Sequence, residues 1–246
     1  MKKTRLFVAL AAVLALTLRS ATPAGANHSW AKYHWARTSN PFTLQLINQT
    51  TTTGWSATLG AVSTDWSKST VLDTAVKPGT PEGEQKCTPQ SGRVVVCNDT
   101  YGLNQWLGLA RIWFLNTHIT QATSQVNDTY FVMENYDNPN AKRHVMCQEV
   151  GHTFGLGHQK GVTNSCMNDQ GKTLFLSSAI SPNQHDYDQL VEIYGHNDTT
   201  STAAKGGAVG VGADWTPPAS DHGRQNVYVH DLGEGRLLIV FVTWTP

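Results

Sequence analysis

Charge is scarce in this chain. Lysine plus arginine number 18, aspartate plus glutamate 18, and charged residues fill only 15% of 246 positions at zero formal net charge. A nucleic-acid partner, which calls for a basic surface, is therefore not expected. Long apolar runs are also lacking. The longest, Leu6 to Leu18, has 13 residues and is too short to span a bilayer comfortably. It follows Lys2, Lys3 and Arg5 and precedes Ala24-Gly25-Ala26, so it reads as a signal peptide cleaved after Ala26. The mature chain is then expected to be secreted, without a membrane span, and monomeric. No Gly-x-Ser-x-Gly elbow or phosphate-binding loop is present, and Gly207, Gly210 and Gly212 have the wrong spacing for a dinucleotide.

Cysteine is sparse as well, at four residues, and no Cys-x-x-Cys spacing supports a four-cysteine zinc site. In an exported chain four cysteines read as two disulfides, and three pairings are open. The expected set is Cys87–Cys97, closing a turn-rich loop, with Cys147–Cys166. Helical geometry is compatible with the second bond, because Cys147 points about 140° away from His152.

The chemistry concentrates between His144 and Met167. Glu149 and His152 lie three apart, on one face of a helix. Gly155 stands where that helix should stop, since glycine tolerates the left-handed conformation. The chain then turns back and delivers His158 beside His152. Two imidazoles and a carboxylate converge, the layout of a zinc site with a general base.

These residues resemble the metzincin signature, His-Glu-x-x-His-x-x-Gly-x-x-His followed by a methionine turn, and most closely small secreted matrixin-like peptidases of bacteria. Every position matches except the first, occupied by Gln148. The resemblance implies an α+β, metzincin-like zincin domain with a mixed twisted sheet, an active-site helix, a Met-turn and a C-terminal helix. It implies Zn2+ bound by His152 and His158, Glu149 as the base that activates water, Met167 as the floor under the metal, and hydrolysis of an extended peptide or protein. Calcium is a further expectation at the acidic loop of Glu134 and Asp137, where a solvated turn is the alternative.

Three readings of Gln148 remain open. Its amide oxygen replaces the missing imidazole; another residue supplies the third ligand; or metal binding is lost and the fold serves as a secreted binding protein. His144 does not suit the second reading, because eight residues of helix carry it about 12 Å from His152. Eight tryptophans also raise carbohydrate binding, although tryptophan more often serves the core.

Along the chain, 1–26 is the leader, 27–196 the catalytic domain, and 197–246 a Gly/Thr/Pro-rich linker with a C-terminal β-hairpin. Phe42, Leu44 and Leu46 alternate as a strand, and Trp55, Leu59, Val62 and Trp66 mark an amphipathic helix. Strands are predicted at Val71–Val76, Val94–Val96, Leu109–Leu115 and Tyr130–Met133. In the family, a strand such as Leu109–Leu115 lies at the sheet edge and pairs with substrate, and an ordinary core strand is the alternative. Asn138 and Pro139 open the active helix. Ser181-Pro182-Asn183-Gln184 reads as a capping box for a helix that Gly195 stops. Val227–His230 and Leu237–Trp244 read as two strands, the second too apolar to stay bare.

Overall fold

A computed structural model describes residues 28–30, 32–52, 54–169, 171–203 and 225–246. The leader with its Ala26 cleavage point, the Gly207–Gly212 stretch and most of the linker lie outside the described residues.

The chain folds as α+β around a mixed sheet. Its strands are β1 (His34–Trp35), β2 (Phe42–Asn48), β3 (Leu72–Pro78), β4 (Val94–Asp99), β5 (Trp106–Leu115), β6 (His118–Asn127), β7 (Val227–Gly233) and β8 (Arg236–Trp244). The order across the sheet is β3-β2-β4-β6-β5-β8-β7, with β1 pairing parallel to the start of β6. Strands β3, β2, β4 and β6 run parallel, and β6, β5, β8 and β7 are joined antiparallel. The helices are α1 (Trp55–Trp66), α2 (Asp128–Phe131), α3 (Pro139–His152) and α4 (Gln184–Tyr194).

Helix α1 buries Trp55, Leu59, Val62 and Trp66. That stripe is the spacing of a helix packed on one side, and it shares one core with α3 and the inner faces of β2, β4 and β5. Trp35, Trp55, Trp66, Trp106 and Trp113 are all buried, so most of the tryptophans serve packing.

Three local expectations need correction. Tyr130–Met133 is not a strand. Asn127 accepts a hydrogen bond from the Thr129 amide and caps α2, while the Asp128 carboxylate accepts from the Trp55 indole at 2.6 Å. The strand β6 is absent from the sequence reading because His118–Asn127 is mostly polar, yet its residues are largely buried between β4, β5 and the helices. The capping box of α4 is formed by Asn183 and Asp186, two residues beyond Ser181.

Strand β5 has no free edge, because β8 pairs with it from Trp106↔Trp244 to Leu115↔Arg236. Side chains alternate faces along a strand. Leu238, Val240 and Val242 therefore pack on Trp106, Leu109 and Trp113, while Ile239 and Phe241 join the main core. Thr243 falls on the Phe241 face, towards α3.

Candidate active site

Helix α3 starts at Asn138, whose side chain accepts from the Asn140 amide, with Pro139 in the first turn. Its last turns carry Gln148, Glu149 and His152, all buried. The chain leaves the helix through Gly155 at φ +95°, where a Cβ would lie 2.5 Å from the Tyr33 carbonyl oxygen. Only glycine suits that turn. Trp30 donates its amide to the Gly155 carbonyl, and the Trp35 indole donates to the Thr153 carbonyl at 2.8 Å. The N-terminal segment thus clamps the turn that returns His158 to His152.

The two imidazoles meet edge to face, with ring centroids 4.6 Å apart. His152 Nδ1 lies 2.8 Å from the Leu156 carbonyl oxygen and must donate to it. That fixes a bare lone pair on Nε2, the orientation of a metal-binding histidine. Among the described residues neither His152 Nε2 nor Glu149 Oε2 has a hydrogen-bond partner, although both are buried. Buried polar atoms without partners point to an ion or water. Beneath them, a Cβ on Gly151 would lie 2.5 Å from the Met167 sulfur, so Met167 packs directly under α3. The Cys147–Cys166 bond ties the helix to this turn, and Cys87–Cys97 closes the earlier loop.

Gln148 is fully engaged. Its amide nitrogen donates to the Asn168 carbonyl at 2.5 Å, and its oxygen lies 2.5 Å from Thr243 Oγ1. The same hydroxyl lies 2.5 Å from Glu149 Oε1. A hydroxyl carries one proton and cannot donate to both oxygens. The arrangement closes if Glu149 is protonated and donates to Thr243, which donates to Gln148. Burial pushes the Glu149 carboxyl up to about 8, in keeping with that proton. Burial also holds His158 down at about 4 and His152 well below its ordinary value, so both imidazoles are neutral.

Strand β8 completes the roof. Phe241 stacks on His152, and Val242, Thr243 and Trp244 line a cavity of about 190 Å³ with Gln148, His158 and Asn168. Neither Phe241 nor Thr243 was expected here from the sequence, since they lie about 90 residues from α3 and no spacing links them. His144 also lines this cavity, with its Nδ1 on the Ala179 carbonyl oxygen at 2.7 Å. In the acidic loop, Asp137 pairs with Lys142 at 2.7 Å.

No family description and no curated protein matches the chain. Among solved structures, the chain is similar to myroilysin, at 11% identity and TM-score 0.41, over 69% of this chain and 98% of that one. It is similar at the same TM-score to archaemetzincin from Methanopyrus kandleri, at 13% identity, over 68% of this chain and 98% of that one. The functional reading rests instead on the site's own residues.

Proposed function

We propose that the chain is a secreted, zinc-dependent endopeptidase of the metzincin, matrixin-like type, and that β8 holds it latent. The observation that carries this reading is the pair of buried, unpartnered atoms His152 Nε2 and Glu149 Oε2 beside the His158 ring. This donor set fits zinc: His152 and His158 would hold the ion, with the Gln148 amide oxygen as third donor. When bound, zinc supplies a Lewis acid for the scissile carbonyl and acidifies a water.

The protein's own groups do the rest. Glu149 Oε2 takes the proton of the attacking water and delivers it to the leaving amine. Neutral imidazoles keep their lone pairs for the ion. Gln148 Oε1 is shared with Thr243, so it becomes a full donor when β8 withdraws. Withdrawal also bares β5, where an extended peptide would pair antiparallel in place of β8. Substrate and β8 therefore compete for one strand edge.

The test is zinc content after dialysis against metal-free buffer, together with cleavage of an unfolded protein. Wild type should retain one zinc more than His158→Ala. Cleavage should vanish in Glu149→Ala and rise in Thr243→Val, which keeps the shape but frees Gln148. Equal zinc in wild type and His158→Ala, with no cleavage by wild type or Thr243→Val, would sink the reading and favour a binding protein.

A further inference from the structure

Away from α3, the segments before β2, between β5 and β6, and after α4 meet at one point. Strand β1 is only two residues long, but its parallel register sets His34 opposite His118. The chain leaving α4 brings His196 and Asp198 to the same place, fixed by the Asp198 amide donating to the Arg37 carbonyl at 2.8 Å. His34, His118 and Asp198 offer ligand atoms that all lie within 4.8 Å of one another.

The spacing between these atoms is informative. His34 Nε2 lies 3.3 Å from Asp198 Oδ2 and 3.4 Å from Oδ1. His118 Nε2 is 3.4 Å and His196 Nε2 3.7 Å from Asp198 Oδ1. The two nitrogens His34 Nε2 and His196 Nε2 face each other at 3.3 Å. A charge-assisted hydrogen bond would be near 2.8 Å, so these are poor hydrogen bonds. The separations of 3.3–3.4 Å are instead close to the edges of a tetrahedron around a zinc ion, since bonds of about 2.0–2.1 Å give ligand separations of that size. His196 adjoins His34 and Asp198 outside that three-residue group, and its exposed ring would swing in as the fourth ligand.

Ring orientation agrees. His34 stands nearly perpendicular to both His118 and His196, at 86° and 84°, as imidazoles do when they point at one centre from different sides. His34 Nδ1 donates to the Lys32 carbonyl at 2.6 Å, which leaves Nε2 as the lone-pair nitrogen. Arg37 Nη1 holds Asp198 Oδ2 at 2.7 Å and leaves Oδ1 to the histidines. Lys32, Thr117 and Glu192 join these groups around a cavity of about 630 Å³, which gives the ion an entry path. A second cluster, His28, His185 and Asp186, shares one such separation, His28 Nε2 to Asp186 Oδ1 at 3.3 Å, but its two rings stack at 21° and so do not point at one centre from different sides.

We propose that His34, His118, His196 and Asp198 form a structural zinc site, separate from α3, that fastens the N-terminal strand to the segment following α4. Because Trp35 in the same strand holds the Thr153 carbonyl, the ion would brace the turn that carries His158.

The test uses the full mature chain carrying His158→Ala, so that the α3 site is disabled, stripped with chelator and titrated with Co2+ and then Zn2+. The expected result is one cobalt per chain with the intense visible bands of four-coordinate nitrogen and oxygen ligation, displaced by one zinc. Adding His118→Ala, which alters a half-buried ring, should abolish the bands and weaken binding by more than about 100-fold, beyond the cost of disturbing a ligand's hydrogen-bond partner. His196→Ala, at a ring 52% exposed, should shift the bands towards higher coordination as water replaces the imidazole. Circular dichroism shows whether each variant is folded. A folded His158→Ala protein that binds no metal would overturn the proposal, as would binding unchanged in both His118→Ala and His196→Ala. Neither outcome depends on whether the α3 site is active.

Discussion

Phe241 lies flat on His152, with ring centroids 4.0 Å apart and planes 9° from parallel. Phe241 and Thr243 share one face of β8, so the stacking and the contact with Glu149 form and break together.

Replacing Phe241 with alanine removes a side chain that is 2% exposed and packed in the main core. Truncating a buried phenylalanine costs about 3–5 kcal/mol. Urea unfolding should show a loss of that size, with β8 amides exchanging faster than those of β4. A loss below about 1 kcal/mol would mean that β8 is only loosely seated.

Stability should depend on pH in two opposed ways. Glu149 sits at about 8 in the folded chain against an ordinary 4.5, so the folded state keeps a proton that the unfolded state gives up. Its contribution therefore fades as pH rises through that window. His144 and His158, held at about 4 against an ordinary 6.5, act oppositely: stability is lost as pH falls below 6.5. Of these three groups, only the glutamate acts between pH 6.5 and 8. The melting temperature of zinc-free protein should fall across that interval, and Glu149→Gln should flatten the slope. A wild-type slope that matches the variant's would rule out the buried acid.

At Gly108, β5 passes close against α3. A Cβ there would lie 2.6 Å from Val145 Cγ1 and 2.7 Å from Glu149 Oε1. Gly108→Ala should cost about 1–3 kcal/mol through overpacking. It should also displace Glu149 from Thr243, read as a smaller pH slope in the melting experiment. An unchanged melting curve would show that strand and helix can separate freely.

The Cys147–Cys166 bond closes a loop with a sequence separation of 19. Constraining a loop of that size contributes about 3 kcal/mol. The double replacement Cys147→Ala with Cys166→Ala should lower stability by that order and loosen Met167 beneath α3. Loss of zinc affinity exceeding the loss of stability would show that the turn positions the ligands as well as the fold.

Much of the α3 region was legible because its residues are local. Glu149, His152, Gly155 and His158 fall within ten positions, where helical geometry dictates who meets whom. The amphipathic stripe of α1 was legible for the same reason. β6 was hidden because polar residues such as Gln121, Thr123 and Gln125 are buried there. The Asn127 cap made Tyr130 part of a helical turn, which an apolar run alone does not reveal. The histidines at 34, 118 and 196 carry no common spacing, and only the two-residue register of β1 brings the first pair together. The role of β8 was equally out of reach: its apolar alternation announced a partner but not that the partner was β5 over α3.

The pairing of β8 with β5 joins positions as far apart as Leu109 and Val242. β8 is in effect a ligand tied to its own binding edge by the covalent chain, and a tie of that kind sets a local concentration. While the chain between 203 and 225 is whole, dilution cannot remove β8. One cut in that stretch would make its occupancy depend on protein concentration, so the same site would be covered where the protein is crowded and open where it is dilute.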